Sequence, residues 1–491
     1  MALLHQKPKP RMLKRKSKFW TGYAFVLLFP FLNGYAQDSA RVFSPSDLYG
    51  LLSEYHPVAR QAGLLARSAE AQMRMARGAF DPKLFGGLNQ KTFDGKLDYR
   101  YFDGGIKAAT LLGVELKAGY EGSMGPKVNP EQVLPQTGLM VAGVSVPLGR
   151  DLLIDERRAA LQQARIFSQL AGAQQDAILN DLFFAALKTY WDWAQAYARL
   201  QMQDEAVNLA FIRKNAIRTD WQFGGRPGVD TLEAFILWQN RRVGRNEAYQ
   251  EYLDATYALS NFLWDENEMP LEITPALRPI PLRVVTTESV PFEDSVMTMI
   301  NLLTDYHPEI QELRLSLAQL EVERRFKADR LKPGVYLDYN LINEPIFGFG
   351  EANAPIAPQI FQNNYKLGVT VDFPLFLRKE RGSLALTKLK IQDTQFKQDL
   401  KLRELANKVR TYYADLGVQR DQIAILENNV DNYAALLEAE ERKFEVGESS
   451  LFLLNTRENS LIESRIKLLE TYAKFAKARA GLYWSAGQLG E

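Results

Sequence analysis

From Arg378 to Phe444 the chain carries no proline and no long turn signal, and its apolar residues recur at helical spacing. Leu405, Val409, Tyr412, Leu416, Gln419, Ile423, Leu426, Val430, Tyr433 and Leu437 alternate steps of four and three. This is a heptad seam, the pattern of supercoiled helices packed knobs into holes. The returning stretch keeps the alternation: Leu451, Leu454, Glu458, Leu461, Arg465, Leu468, Tyr472, Phe475, Arg479 and Leu482. At 1.5 Å per residue the first run makes a helix of about 100 Å, longer than a compact domain needs. Charged and amide residues interrupt both seams. A dimeric zipper tolerates that poorly, and an assembly in which each flank meets a different neighbour tolerates it better.

The second constraint is a tandem duplication. EYHP, from Glu54, and DYHP, from Asp305, share a frame 251 residues apart, and each opens a helix-like stretch ending at FDP (Phe80 to Pro82) or LKP (Leu331 to Pro333). VSVPL (Val144 to Leu148) then matches VTVDFPL (Val369 to Leu375), and KTYW (Lys188 to Trp191) matches RTYY (Arg410 to Tyr413). FGGRPGVDTLEAF, from Phe223, matches FEVGESSLFLLN, from Phe444, and the register continues to Trp264 and Trp484. Each half reads helix, extended segment, very long helix, tight turn, long helix. The halves span 37–264 and 294–491, and the proline-rich connector at 265–293 is expected to be extended. The first half is longer: 91 residues separate His56 from Pro147, against 67 between His307 and Pro374. Its surplus of 24 points to an additional strand or loop near 94–125.

The first 36 residues hold seven Lys/Arg and no acid, then the apolar run FWTGYAFVLLFPFL and Gly34-Tyr35-Ala36. Basic region, short apolar core and small residues make a secretory signal peptide over 1–36. The run is too short, and broken by a proline, to be a membrane anchor. Taking those seven charges from the net +1 leaves −6. That mild acidity argues against a nucleic-acid partner and leans weakly towards cations. The chain has no cysteine, so neither disulfides nor a lipidated cysteine are available. No stretch other than the leader is apolar enough to span a bilayer as a helix, so any insertion of the mature protein is by β-strands.

Extended candidates are KLFGGLNQKTF from Lys83, LLGVELKAGYEG from Leu111, GLMVAGVSVPL from Gly138, GVYLDYNLI from Gly334 and NYKLGVTVDFPL from Asn364. Several alternate apolar with polar or small residues over about ten positions, with Tyr and Phe near their ends. That fits membrane-barrel strands, and it also fits a soluble β-sandwich. Gly122 to Thr137 and Glu344 to Gln359, rich in Gly, Pro and Asn, read as exposed hairpin loops.

Of three histidines, His5 lies in the leader, and His56 and His307 precede Pro57 and Pro308. No spacing of His, Cys or carboxylates suits a metal. Proline is favoured at the first helical position and keeps the preceding residue extended. His56-Pro57 and His307-Pro308 are therefore helix starts, with the imidazole a candidate cap acceptor. No nucleophile elbow, P-loop, dinucleotide fingerprint or cofactor motif is present, so the chain is read as a non-enzyme that needs no cofactor.

The duplicated order, the two turn-helix units and the paired VPL and FPL motifs resemble the TolC-like outer-membrane efflux proteins over residues 37–491. The resemblance implies a mainly α fold with membrane β: tandem long helical hairpins forming a trimeric α-barrel joined to a shared twelve-stranded β-barrel, four strands from each copy. It implies a homotrimer in outer-membrane lipid with its helices in the periplasm. Such a trimer is the exit duct of a tripartite efflux or type I secretion system, working with a periplasmic adaptor (membrane fusion) protein and an inner-membrane transporter. In that family the turns between the long helices form the periplasmic entrance and adaptor-docking tips. Here these are Gly224, Gly225, Gly228, Asp230 and Glu233 in the first repeat and Gly447, Glu448, Ser449 and Ser450 in the second. The glycines suit a reversal that needs positive φ. Asp230 and Glu233 match the family's acidic entrance by position, although Asp230 reads equally as a helix cap. The second tip keeps only Glu448 as an acid, and His56 and His307 stand where the family more often has Asn. The competing reading is a periplasmic coiled-coil scaffold or adaptor without a channel. An adaptor, however, would have one helical hairpin flanked by β domains, and here two hairpins are separated by β segments.

Overall fold

The computed structural model describes residues 41–287, 291–344 and 364–489. The signal peptide read over 1–36 and residues 345–359 of the second hairpin loop lie outside the described residues.

Two runs of elements share one plan. In the first, α1 (Pro45–Tyr55) and α2 (Pro57–Gly78) lead into β2 (Lys83–Phe93), β3 (Lys96–Ala109), β4 (Glu115–Met124) and β5 (Leu139–Pro147), then α3 (Glu156–Gln222) and α4 (Gly228–Ser260). In the second, α5 (Glu293–Tyr306) and α6 (Pro308–Asp329) lead into β7 (Gly334–Asn343) and β8 (Tyr365–Asp372), then α7 (Arg378–Glu445) and α8 (Leu451–Ser485). The matched helices have nearly equal lengths: α2 and α6 have 22 residues each, α3 and α7 have 67 and 68, and α4 and α8 have 33 and 35. Among the described residues no helix is long and apolar enough to cross a membrane.

The helices lie side by side. Next to the sheet the neighbours run α2, α3, α6, α7; beyond it α3 packs on α4 and α8, and α7 on α8. The heptad seam is what they bury: Leu405, Val409, Leu416, Ile423 and Leu426 of α7 and Leu451, Leu454, Leu461, Tyr472, Phe475 and Leu482 of α8 are buried. The largest core cluster joins Phe183, Tyr190 and Trp193 of α3 to Leu48, Leu259, Val296, Leu416 and Phe475 from five other helices. The connector is less extended than its prolines imply. Its strand β6 (Leu277–Pro279) pairs in parallel with β1 (Arg41–Phe43), and a 3-10 turn follows at Leu282–Thr287. Tyr190, at the core centre, fixes both strands: its hydroxyl donates to the Phe43 carbonyl at 2.7 Å and accepts from the Ile280 amide at 3.1 Å.

The sheet departs from the expected four strands. It has six, all antiparallel, in the order β2-β3-β4-β5-β7-β8. The surplus of the first half is the β3–β4 pair, inserted between the strand leaving α2 and the strand entering α3. Gly105 and Gly119 face each other there, and a Cβ on Gly105 would stand 2.2 Å from the Ala118 carbonyl oxygen. Such close backbone approach marks a bend that a side chain would obstruct.

Because side chains alternate, the register sorts the sheet into two faces. One carries Leu84, Leu88, Phe102, Ile106, Leu116, Tyr120, Met140, Tyr339, Leu341, Tyr365, Leu367, Val369 and Val371, all exposed. Its only charged side chain is Arg100, at the end of β3 away from the helices, where it donates to Gln90 at 2.8 Å. The opposite face carries Lys83, Asp103, Lys107, Glu115, Lys117, Glu121, Asp338 and Lys366. A soluble sandwich would cover the first face, and nothing among the described residues does.

Candidate functional site

Both long-helix reversals end in the same hydrogen-bonded turn. At the end of α3 the Gly225 amide donates to the Asp220 carbonyl and the Gly224 amide to the Trp221 carbonyl. At the end of α7, Glu448 donates to Lys443 and Gly447 to Phe444 in the same pattern. This Schellman arrangement needs its penultimate residue left-handed, and Gly224 and Gly447 supply it at φ +76° and +82°. Ser450 caps α8, its hydroxyl accepting from the Leu453 amide at 3.3 Å. Ser449 donates to Glu440. Glu448 stays exposed.

The expected acids are engaged within the chain. Asp230 is not the helix cap: Pro227 holds that position, and Asp230 stands in the first turn of α4 with its carboxylate 3.9 Å from Arg226. Glu233 accepts from the Asn455 amide at 3.2 Å, which joins α4 to α8. Gly228 begins α4 beside the Trp221 indole.

Three arginines that sequence reasoning missed tie the tips together. Arg226, in the first turn, stacks its guanidinium 3.9 Å over the Phe444 ring and donates to the Phe444 carbonyl at 3.4 Å. Beneath it Ile217 of α3, Ala234 of α4 and Leu451 of α8 form an apolar knot with Phe444 of α7, so all four long helices meet. Farther along, Glu458 of α8 is clamped from the other hairpin: Arg213 of α3 contacts one carboxylate oxygen and Arg241 of α4 reaches the other at 3.3 Å. Glu458 is 5% exposed, and the arginines 16% and 12%. Arg241 also donates to Asn459 at 2.6 Å, and Arg213 touches the half-exposed Glu441 at 3.5 Å. Only Glu458 had a sequence signal, as a carboxylate on a heptad seam. Its partners lie more than 200 residues away, beyond any periodicity.

His56 and His307 stand at the starts of α2 and α6, with Pro57 and Pro308 as first helical residues. They differ in detail. His56 Nδ1 accepts from the Val58 amide at 3.2 Å, whereas His307 caps nothing with its side chain. Its ring is 1% exposed, packs on the Gly487 turn that ends α8, and leaves both nitrogens unpartnered. Burial holds the His307 imidazole down at about 4. The unfolded chain takes up a proton near the ordinary value of about 6.5, so this stabilisation is complete above that pH and is lost as pH falls towards 4. The limiting loss is about 3 kcal/mol. His307→Asn should therefore flatten the fall in melting temperature between about pH 7.5 and about pH 4.5; an unchanged slope would assign the acid sensitivity to other groups. Among the described residues no three His, Asp or Glu converge as metal ligands.

The family model described as Outer membrane efflux protein matches residues 300–488. No curated protein matches the chain. Among solved structures, the CmeC outer membrane channel of Campylobacter jejuni aligns with a TM-score of 0.62 at 13% identity, over 90% of this chain and 85% of that one. The open-state MtrE outer membrane channel of Neisseria gonorrhoeae gives 0.63 at 15% identity, over 91% and 89%. The outer membrane protein VceC of Vibrio cholerae gives 0.61 at 12% identity, over 90% and 96%. At these identities the channels establish a shared fold, and the family model supplies the sequence link through the second repeat. The second repeat therefore carries the sequence pattern of the outer membrane efflux proteins, and the fold shared with these outer membrane channels extends over both repeats.

Proposed function

We propose that this chain is one protomer of an outer-membrane efflux channel, a passive duct that works with a periplasmic adaptor and an inner-membrane transporter. The observation that carries the reading is the exposed apolar face of the six-stranded sheet, which bears a charge only at Arg100, at the end away from the helices. Its strands of 8 to 14 residues suit the roughly 9–11 residues of a membrane-spanning strand. A bilayer tolerates no open sheet edge, so β2 and β8 must find partners. They run in opposite directions, so β8 of one copy can pair with β2 of the next and keep the antiparallel order. Three copies, as the family resemblance implies, supply eighteen strands (three sheets of six) where twelve were expected. Barrel diameter grows roughly linearly with strand number, so such a barrel is about half as wide again.

The tips supply the periplasmic end. Gly224, Gly225, Gly228, Asp230, Glu233, Gly447, Glu448, Ser449 and Ser450 form the entrance and the adaptor-docking surface in this reading. The Arg226, Glu233 and Glu458 ties between the hairpins hold the tip in one arrangement. Native mass measured after extraction from outer membranes in mild detergent tests the assembly. The expected species has three times the chain mass and is released only by detergent. A water-soluble monomer or dimer would replace the channel with a periplasmic scaffold.

A further inference from the structure

The register places Lys83 of β2, Lys107 of β3 and Lys117 of β4 directly opposite one another, and the same row continues through Gly143 and Asn340 to Lys366 of β8. Like charges directly opposite on neighbouring strands destabilise a sheet. This row sets three lysines on consecutive strands, so folding alone does not account for it. The Phe85 ring sits between two of them, with the Lys107 and Lys117 amines 4.7 and 5.4 Å from its centroid. In the middle of the row Gly143 has no side chain, and the Asn340 amide lies over it. Around Gly143 and Ser145 lies a recess of about 350 Å³ lined by Lys107, Lys117, Lys366 and Asn340 and, on its side nearer the helices, by the carboxylates of Glu115 and Asp338. The lysine row itself holds no acid: Glu115 and Asp338 stand one row nearer the helices, inside the recess, and Asp103 and Glu121 two rows beyond on the other side. Two of these are already engaged, Glu115 by Arg157 at 3.5 Å and Glu121 by Lys117 at 3.3 Å.

We propose that this recess binds a small multivalent organic anion through Lys107, Lys117 and Lys366, with Asn340 and Ser145 as hydrogen-bonding partners. Its place on the duct wall rests on the channel reading, because only a closed barrel turns this face into a lumen. The recess itself needs only the sheet. It reverses the cation preference suggested by net charge: composition sums the whole chain, whereas a solute meets one face.

Citrate, with three carboxylates, is the probe. Calorimetric titration of the full-length, detergent-solubilised protein at low salt should show saturable binding that weakens as salt is raised. Lys107→Gln/Lys117→Gln/Lys366→Gln should weaken it at least about tenfold, the equivalent of about 1.4 kcal/mol. Lys91→Gln, outside the row, should leave it unchanged, and unchanged melting would show that each variant is folded. The single variant Lys366→Gln, on the exposed edge strand, should lose part of the binding without disturbing the β3–β4 pair. Absent binding, or equal binding by the triple variant, overturns the proposal. Single-channel recording separates this from the channel reading: conductance without citrate binding or block removes the recess and leaves the duct. Lysine-dependent binding by a protein that conducts nothing does the reverse.

Discussion

Glu458→Gln is expected to loosen the tip and raise single-channel conductance severalfold. The substitution keeps the size of the side chain and removes its charge, so Arg213 and Arg241 face each other with no carboxylate between them. Removing one member of a buried ionic cluster typically costs about 3–5 kcal/mol, because the remaining charges stay desolvated. The least costly relief is for α3 and α4 to separate from α8 and let water reach the guanidinium groups. That motion parts the two hairpins where the proposed duct narrows. Glu441→Gln is the control: Glu441 touches the same Arg213 but is half exposed, and such rim pairs contribute about 0–1 kcal/mol. It should change conductance little. If Glu458→Gln lowers the melting temperature and leaves conductance untouched, the cluster is structural cement with no part in setting the aperture.

The helical part of this molecule was legible because its signals are local and repeat. The absence of proline and of a turn signal gave α7 to within a residue at each end, its heptad seam gave the buried side, and each His-Pro pair marked a helix start. Positive φ was expected somewhere in the FGGRPG and FEVGES turns, and Gly224 and Gly447 carry it. The sheet was harder. Strand β3 escaped as a named strand because its middle, Phe102-Asp103-Gly104-Gly105, puts a charge and two glycines where alternation should be strongest. Only the 24-residue surplus betrayed it, as an added strand or loop. The tip chemistry was least legible. Asp230 and Glu233 were chosen by position in the tip, yet what they do depends on Arg226 and Asn455. Their pairing is set by how two distant hairpins dock. His307 shows the limit within a repeat: the same dipeptide that caps α2 at His56 buries an unpartnered ring at α6, because the Gly487 turn closes over it.

Adjacent residues on β8 give the strongest test of which sheet face meets lipid. Val369 pairs with Leu337 on the apolar face and is 61% exposed; Thr370 pairs with Tyr336 on the charged face. Val369→Arg should nearly abolish trimer in the outer membrane, while Thr370→Arg should be tolerated. An arginine on the lipid side of a barrel costs about 2–4 kcal/mol at the bilayer midplane. A trimer carries it three times, for a total of about 6–12 kcal/mol, enough to overwhelm ordinary folding stability. On the lumen side the same guanidinium stays in water and costs little. The readout is the amount of heat-stable trimer in the outer-membrane fraction, with periplasmic monomer measured alongside. Loss with Val369→Arg alone supports the assigned faces. Loss with Thr370→Arg alone would invert them, and the lysine row would then have no lumen to face. Tolerance of both would mean that the sheet never enters a bilayer, because a water-exposed apolar face gains nothing from excluding charge. Neither substitution touches the helices or the tips, so the outcome separates membrane insertion from duct gating.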